Sequence, residues 1–429
     1  MRKNVKIIIS ILVILSFLFY SIIILRVSPG INSFAIASLV NSALFIILAY
    51  FIFKYDFSKN FVYITLTAGI IFRIMLMGSG PIASDDIYRY AWDGKVLASG
   101  INPYKYSPDD PALTRLHTNT LPSKINFPNF KSIYPPAAQL FFLQAYLIGG
   151  DSFYGIKILL LICEILTLLF IILTLQLIKQ PVKYSLIYAM CPLPIMQFMV
   201  DGHIDALGIL FLSMFIYLYK KNRKKSSYIL LGFSIISKII SVILIPLLFF
   251  IEKKKNKTAV FLIPLGIAVI AYSLFSIGES YPFESMQKFA VNWMYNGSIF
   301  KILHYIIGNH FIAREICLVI FIIILLFLSI TKREFFSKIY YIFLAFFLLA
   351  TTVHPWYLTW LVLLLPFYFR WSGIVLVSLV SLVNIDLITY IQTGIWRQST
   401  FVLFAEYLPV FLFLILEIYK EFKIGHQLA

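Results

Sequence analysis

Long runs of apolar residues, separated by short basic or polar loops, dominate the sequence. The runs at residues 7 to 25, 34 to 53 and 61 to 77 each approach the ~20 apolar residues that a helix needs to cross a membrane. Similar runs recur as far as residues 402 to 419. The pattern predicts an all-α, polytopic integral membrane protein with about 11 to 13 transmembrane helices. We expect residues 1–429 to form a single domain.

The longest polar segment runs from Gly78 to Tyr134 and contains six prolines. Proline interrupts helices, so this segment is too broken for a spanning helix. Three crossings precede it, and the alternation of crossings therefore places it outside the cytoplasm. We expect residues 78–135 to form a folded extracytoplasmic loop with short interfacial helices, and we expect this loop to carry the catalytic groups.

The chain carries 36 Lys and Arg against 19 Asp and Glu, a formal net charge of +17. The excess lies in short loops, such as residues 220–225 and 253–257, and Lys and Arg accumulate in cytoplasmic loops of membrane proteins. This placement predicts contact with membrane lipids and no binding of nucleic acid, which requires a continuous basic face. The first helix should be retained in the membrane, begin in the cytoplasm and lead into a loop from Arg26 to Ser33.

Two segments fit the alternation of crossings less simply. The run from Pro136 to Ile148 is short, which favours a re-entrant or interfacial helix; the alternative places the Lys179–Lys183 loop outside, against the charge rule. The segment from Ser226 to Ile251 begins and ends at basic clusters and has Lys238 near its middle. It is therefore predicted to be a hairpin of two half-helices, whose non-helical centre must be buried or line a cavity.

Carboxylates collect at the start of the predicted outer loop. At helical spacing Asp86, Arg89 and Asp93 share one face, and Asp85 stands beside Asp86. Two adjacent carboxylates raise at least one pKa, which suits a general base. The alternative is a helix N-terminus where Asp serves as a cap and Arg89 as an ordinary ion-pair partner. The residues by themselves leave both interpretations open.

A second polar cluster, Asp201, His203 and Asp205, falls at another predicted outer end. His and Asp are good ligands for divalent metals, but no third strong ligand is near in sequence, so we predict no metal site. His203 is expected to contact a phosphate or a sugar, or to serve as a hydrogen-bonding residue at a helix end. The three cysteines show no CxxC spacing and are expected to be inert packing residues.

Two further groups stand out. Lys238 in its apolar hairpin is expected to pair with a lipid phosphate, with snorkelling along a helix as the alternative. His354 lies beside the break at Pro355, on the same predicted side as the carboxylates.

Group transfer outside the cytoplasm requires an activated group carried on a lipid, because nucleotide-activated donors stay inside. A polyprenyl phosphate bearing one sugar needs a carboxylate to deprotonate the acceptor hydroxyl and cations to hold the departing phosphate. Two other functions remain. A polytopic transporter or lipid/oligosaccharide flippase would carry charge pairs at several depths, and a polymer ligase using lipid diphosphates would carry more basic residues outside.

Several motifs resemble those of polyprenol-phosphate-sugar-dependent glycosyltransferases of the GT-C superfamily, in particular bacterial relatives of the dolichol- and polyprenol-phosphate-mannose mannosyltransferases. The motifs of the first outer loop are Asp85-Asp86-Ile87-Tyr88-Arg89-Tyr90, Trp92-Asp93-Gly94, Gly100-Ile101-Asn102-Pro103-Tyr104 and Ile133-Tyr134-Pro135-Pro136. The similarity continues through Gly202-His203-Ile204-Asp205, Ser237-Lys238, Asn292-Trp293, Asn296-Gly297-Ser298 and His354-Pro355-Trp356-Tyr357-Leu358-Thr359-Trp360.

The resemblance implies inverting transfer of a hexose, expected to be mannose, from a polyprenyl-monophosphate donor to a lipid-linked or cell-envelope glycan acceptor. The reaction would take place on the extracytoplasmic face of the cell membrane, with no cofactor and no metal. Asp85 or Asp86 would be the catalytic base. The expected substrate-binding residues are Arg89, Asp93, Tyr134, His203, Asp205, Lys238, Asn296 and His354.

Overall fold

The computed structural model describes residues 2–26, 30–276 and 281–427, so residues 27–29 of the predicted first loop lie outside it. These ranges contain twenty α-helices and no β-strand. Two isolated β-bridges join Tyr295 and Asn296 to Thr352. The prediction of an all-α protein is confirmed.

The helices of the first half of the chain alternate with loops of very different length. They are α1 (Arg2–Leu25), α2 (Gly30–Lys54), α3 (Lys59–Leu76), α4 (Asp86–Ala98), α5 (Pro136–Gly149), α6 (Tyr154–Leu177), α7 (Ser185–Ala189), α8 (Pro192–Met199), α9 (Asp205–Lys220), α10 (Lys224–Ser237) and α11 (Leu244–Ile251). Short 3₁₀ helices form at Pro111–Leu116, Val182–Tyr184 and Ile239–Ile243.

The second half continues in the same way. Its helices are α12 (Lys254–Phe275), α13 (Glu284–Asn292), α14 (Ile299–Ile307), α15 (His310–Ile330), α16 (Phe335–Leu349), α17 (Thr359–Val362), α18 (Trp371–Leu379), α19 (Val383–Thr393) and α20 (Thr400–Gln427). Further 3₁₀ helices occupy Pro355–Leu358 and Val380–Leu382.

Eight helical spans of the described chain are long and apolar enough to cross a membrane. They are Asn4–Leu25, Gly30–Lys54, Lys59–Leu76, Tyr154–Leu177, Lys254–Phe275, His310–Ile330, Trp371–Thr393 and Thr400–Lys423. Other predicted crossings are apolar but interrupted, for example where Pro192 starts a new helix after α7. The polytopic membrane architecture is confirmed, and these interruptions explain why the unbroken spans are fewer than the about 11 to 13 expected from hydropathy.

The segment between the two basic clusters is the predicted hairpin. Its helix α10 stops at Lys238, whose φ of −157° and ψ of 129° are extended. The chain then returns through the 3₁₀ helix and α11, and Lys224 at its start lies 2.7 Å from Glu252 at its end. Because the two ends meet, the hairpin prediction is confirmed, and Lys238 occupies the turn far from the basic loops.

Helix α5 stays at one end of the molecule. Near its start, Gln139 contacts Asp93 of α4 at 3.3 Å. The following helix α6 begins beside the end of α3, since Lys157 donates a hydrogen bond to the carbonyl of Ser79. Both ends of α5 therefore lie near the start of the long polar segment. This arrangement fits the predicted interfacial helix rather than a crossing.

The segment 78–135 is folded, as expected. Trp92, Tyr104 and Leu113 are at most 1% exposed. It also contacts α13, where Lys131 pairs with Glu284 at 3.0 Å. The folded segment thus packs against the short helix that follows α12 in the chain.

Candidate active site

Several helix breaks meet at the end of the molecule that carries the folded segment. The start of α4, the loop before α9, the turn at Lys238 and the 3₁₀ helix Pro355–Leu358 all contribute side chains there. A proline and a glycine account for two of these breaks: Pro355 opens the 3₁₀ helix, and Gly202 has a φ of +76° that favours a residue without Cβ. A polar cluster therefore forms where long helices end.

Asp86 is the first residue of α4, and its carboxylate faces this cluster. Its Oδ2 atom lies 3.6 Å from Nδ1 of His203, a distance too long for a hydrogen bond. Tyr134 donates a hydrogen bond to the same carboxylate. The side chain remains 31% exposed although protein groups surround it, so it faces a cleft.

The surroundings of Asp86 favour its protonated form. Burial raises its pKa to about 6, and the nearby carboxylates of Asp205 and Asp85 act in the same direction. The ammonium of Lys238 and the hydroxyl of Tyr134 oppose this rise. A carboxylate with a pKa near neutrality suits the transfer of a proton.

Asp85 points elsewhere, although it is the preceding residue. Its side chain is exposed and lies near Asn126 and Lys124, which belong to the loop. Burial raises its pKa, and these two neighbours lower it. The structure thus gives the adjacent carboxylates different surroundings, and only Asp86 faces the cluster that contains His203 and Lys238.

Lys238 and Asp205 form a pair inside the cluster. The lysine Nζ lies 2.6 Å from Oδ2 of Asp205, and Trp360 donates a hydrogen bond of 2.8 Å to Oδ1. The Lys238 ammonium also lies 4.5 Å from the ring centre of Tyr357. Asp205 is fully buried, whereas 17% of the lysine side chain is accessible. The cation is thus held in place with part of its surface free.

A stack of aromatic rings extends from the same cluster. The ring centre of His203 lies 3.7 Å from that of Trp356, and Trp356 in turn lies 4.3 Å from His354. The stack continues through Tyr295 to Trp396. Burial, together with the charge of Lys238, lowers the pKa of His203 far below its usual range and that of His354 to about 3. Both imidazoles are therefore neutral.

His203 has an unusual hydrogen-bonding state. Among the described residues, neither of its two buried ring nitrogens has a hydrogen-bond partner. Buried polar atoms are normally paired, and an orphaned one in a cleft points to a missing ligand or to water. The ring nitrogens are therefore not engaged elsewhere in the described chain, and Nδ1 lies directly beside the Asp86 carboxylate, 3.6 Å away.

Asp201 holds the chain that leads to Asp86. Its Oδ1 atom accepts hydrogen bonds of 2.9 Å from the backbone amides of both Ile82 and Ala83. Burial raises the pKa of Asp201 to about 7, against the lowering effect of these two amides. The sequence analysis placed Asp201 in the outer cluster but did not predict that it positions the backbone before α4. Only its place two residues before His203 could have indicated a function near the site.

Arg89 and Asp93 bind each other rather than facing the cleft. Their Nε and Oδ1 atoms lie 2.8 Å apart, and Arg89 also donates to the carbonyl of Phe130. The second oxygen of Asp93 accepts hydrogen bonds from Ser132 and Gln139. These bonds brace α4 against the rest of the folded segment. They favour a structural role over the predicted contact with substrate.

Asn296 also lies apart from Asp86. Its amide nitrogen is 3.1 Å from each oxygen of Glu406, and its Oδ1 accepts a hydrogen bond from Gln398. The side chain is fully buried and anchors this loop to α20. Its contribution to the cluster is indirect, because the preceding Tyr295 stacks on His354.

The described residues contain no group of three or more His, Cys, Asp or Glu side chains placed to hold a metal ion. Asp201 faces backbone amides, and Asp205 faces Lys238 and Trp360. The side chains of Asp201 and Asp205 therefore face different partners and do not converge on a common ligand position. A cavity of about 240 Å³ lies beside Asp56 and Lys183, away from this chemistry.

A family model described as the N-terminal domain of alpha-(1->6)-mannopyranosyltransferases matches residues 19–253, more than half of the 429 residues. The match includes Asp86, Asp205 and Lys238, whereas His354 lies beyond it. No curated protein matches the chain. On this match, the chain belongs to the alpha-(1->6)-mannopyranosyltransferase family and is a glycosyltransferase of the mannosyltransferase class.

Proposed function

We propose that the protein transfers mannose from a polyprenyl-monophosphate donor to a lipid-linked or cell-envelope glycan on the extracytoplasmic face of the cell membrane. The observation that carries this proposal is the position of the Asp86 carboxylate, which faces a cleft together with His203 and the Lys238 ammonium. The family match supports mannose as the sugar.

In this reaction Asp86 accepts the proton of an acceptor hydroxyl. The hydroxyl oxygen forms a bond to the anomeric carbon of the donor, while the bond between that carbon and the phosphate oxygen breaks. The bonding electrons leave with the lipid phosphate. The hydroxyl attacks the face of the anomeric carbon opposite this phosphate, so the transfer inverts the anomeric configuration. No general acid is required, because a phosphate is a good leaving group.

Lys238 is suited to hold the departing phosphate. Its ammonium has three hydrogen-bond donors, and Asp205 is the one carboxylate that it pairs with among the described residues. Charge developing on the phosphate oxygen would be stabilised by a cation already fixed in place. Next to it on the hairpin, the side chain of Ile239 is 47% exposed, which supports a lipid-accessible position for the donor.

A transporter would need charged groups along an open path. The clearest charge pair elsewhere in the described helices is Arg73 with Glu164, at 2.9 Å between α3 and α6. Both side chains are fully buried, and Tyr188 closes the pair with a hydrogen bond to Glu164. Such an enclosed pair favours a structural function over a transport path.

The test uses the purified protein in lipid vesicles with radiolabelled polyprenyl-phosphate mannose and an α-1,6-linked mannose oligosaccharide. We expect an oligosaccharide that is longer by one mannose, and we expect Asp86→Asn to abolish its formation. Movement of the donor lipid between leaflets without transfer would favour the flippase. Undiminished transfer by Asp86→Asn would remove the proposed base.

A further inference from the structure

A polar cavity of about 170 Å³ lies between the folded segment 78–135 and helix α13. Asp110 and Asn129 line it from the segment, and Glu284 and Lys288 line it from the helix. All of these residues lie outside the eight candidate membrane spans. The cavity is therefore placed to receive a ligand from water, whereas the lipid-borne donor must arrive from the membrane.

The charges around this cavity balance. Glu284 accepts hydrogen bonds of 3.0 Å from both Lys131 and Lys288, and these bonds lower its pKa. With Asp110, the lining contains two carboxylates and two ammonium groups, so it has no net charge. An anion or a cation would gain little there. A neutral ligand with many hydroxyl groups would find both donors and acceptors.

Two side chains that line the cavity have hydrogen-bonding capacity that contacts within the described part of the protein do not use. One oxygen of Asp110 accepts a hydrogen bond from the amide of Ala112, while no hydrogen bond to its second oxygen is found in the described chain. The side-chain amide of Asn129 is likewise not hydrogen-bonded to any described residue. These groups have the geometry and capacity to bind hydroxyls in a concave site.

Aromatic rings flank the polar groups. Phe130 lines the cavity, and the neighbouring Phe127 is 53% exposed and lies 4.8 Å from Trp293. The C–H groups on one face of a pyranose ring pack well against such rings, and its hydroxyls bind at the edge. Polar and aromatic groups together are what recognition of a sugar requires.

The cavity is also connected to the catalytic helix. The carbonyl of Phe130 accepts a hydrogen bond of 2.8 Å from Arg89. Arg89 lies three positions after Asp86 on α4, which is one helical turn. A glycan held at Phe130 would therefore lie next to the helix that presents the base.

We propose that this cavity binds a neutral hexose of the acceptor glycan, at a subsite separate from the cleft at Asp86. The inference rests on the proposed function, since it assigns the acceptor side of the same reaction. The donor and acceptor then reach the protein from different sides, and neither must pass the other.

The first test measures binding without turnover. An α-1,6-linked mannotriose is titrated against the full chain carrying Asp86→Asn, and saturation-transfer NMR reports its dissociation constant. Adding Asn129→Ala and Lys288→Met should raise this constant about tenfold, because hydrogen bonds to the sugar are lost. The control variant pair, Ser123→Ala with Lys301→Met, alters exposed residues outside the cavity and should leave it unchanged.

The second test uses the transfer reaction. Asn129→Ala with Lys288→Met should raise KM for the oligosaccharide about tenfold and leave KM for the donor unchanged. Binding that these changes do not affect, or no binding of the trisaccharide at all, would overturn the inference. If the wild-type chain binds the sugar through this cavity but transfers nothing, the proposed function fails and the subsite stands.

Discussion

The ammonium of Lys238 lies 2.6 Å from the carboxylate of Asp205, at the turn of a hairpin and at the start of α9. Trp360 donates to the other carboxylate oxygen, so the anion is fully engaged while the cation keeps part of its surface accessible. This pairing fixes the position of the lysine side chain where helices end. It also brings a fixed cation close enough to Asp86 to influence the pKa of that carboxyl.

The two adjacent carboxylates should differ in function. Asp86→Asn is expected to lower kcat by roughly 100- to 10,000-fold, the usual contribution of a general base. Asp85→Asn should have a much smaller effect, because Asp85 faces Asn126 and Lys124. Initial rates of mannose transfer by the two variants at equal protein amounts would measure this difference. An inactive Asp85→Asn beside an active Asp86→Asn would exchange the two assignments.

The rate of mannose transfer should fall at low pH, which gives the pH profile an acidic limb. Asp86 must be ionised to accept a proton, and its pKa is about 6, so kcat/KM should fall as the pH drops below that value. The loss should approach about tenfold per pH unit once most of the carboxyl is protonated. A pH profile of the wild-type protein between pH 4.5 and about 8 measures this limb. Asp85→Asn serves as the control: it should retain the limb, moved to somewhat lower pH because the Asp85 carboxylate raises the pKa of Asp86.

Replacing Lys238 should affect both donor binding and the pH profile. Lys238→Gln removes a cation that lowers the pKa of Asp86 and leaves the anion of Asp205 unpaired. The acidic limb should therefore move to higher pH, and KM for the lipid donor should rise by about tenfold or more.

Lys238→Arg provides the matched control for this change, because it keeps the positive charge. It should retain most of the donor affinity and the position of the limb. An unchanged donor KM in Lys238→Gln would show that Lys238 supports Asp205 without contacting the phosphate.

Asp201 should act through the backbone that precedes α4. Asp201→Ala removes the acceptor for the amides of Ile82 and Ala83, each bond being worth about 1 kcal/mol, and leaves two donors unpaired. We expect a lower thermal stability in detergent and a reduced kcat. Asp201→Asn retains a side-chain oxygen and should preserve much of both. Equal losses in the two variants would indicate that the negative charge itself is required.

Local sequence patterns predicted most of the architecture. Apolar run lengths identified the helices, and basic clusters at both ends of one segment predicted the hairpin that Lys224 and Glu252 close. Proline content predicted the interruption between α4 and α5. These properties are local, because helix formation and membrane partitioning depend on consecutive residues. The same patterns did not show which of the apolar runs are unbroken helices, since apolarity does not reveal a helix break inside an apolar run.

The composition of the polar cluster was also partly predictable. The motifs around Asp86, His203 and Lys238 contain most of the polar groups that meet there. The sequence did not separate residues that face the cleft from residues that brace it. Arg89 and Asp93 share a helical face as expected, yet their hydrogen bonds go to each other and to the folded segment.

The sequence by itself determined that this chain is a helical membrane protein with acidic, histidine and lysine groups gathered at helix ends, because apolar length and charge placement are read along the chain. Only the tertiary structure decided that Asp86 faces the cluster while Asp85 faces the loop, and that Asn296 anchors α20. The physical reason is distance along the chain. Asp205 and Trp360 are 155 residues apart, and no local pattern records which of many distant side chains a buried carboxylate will meet.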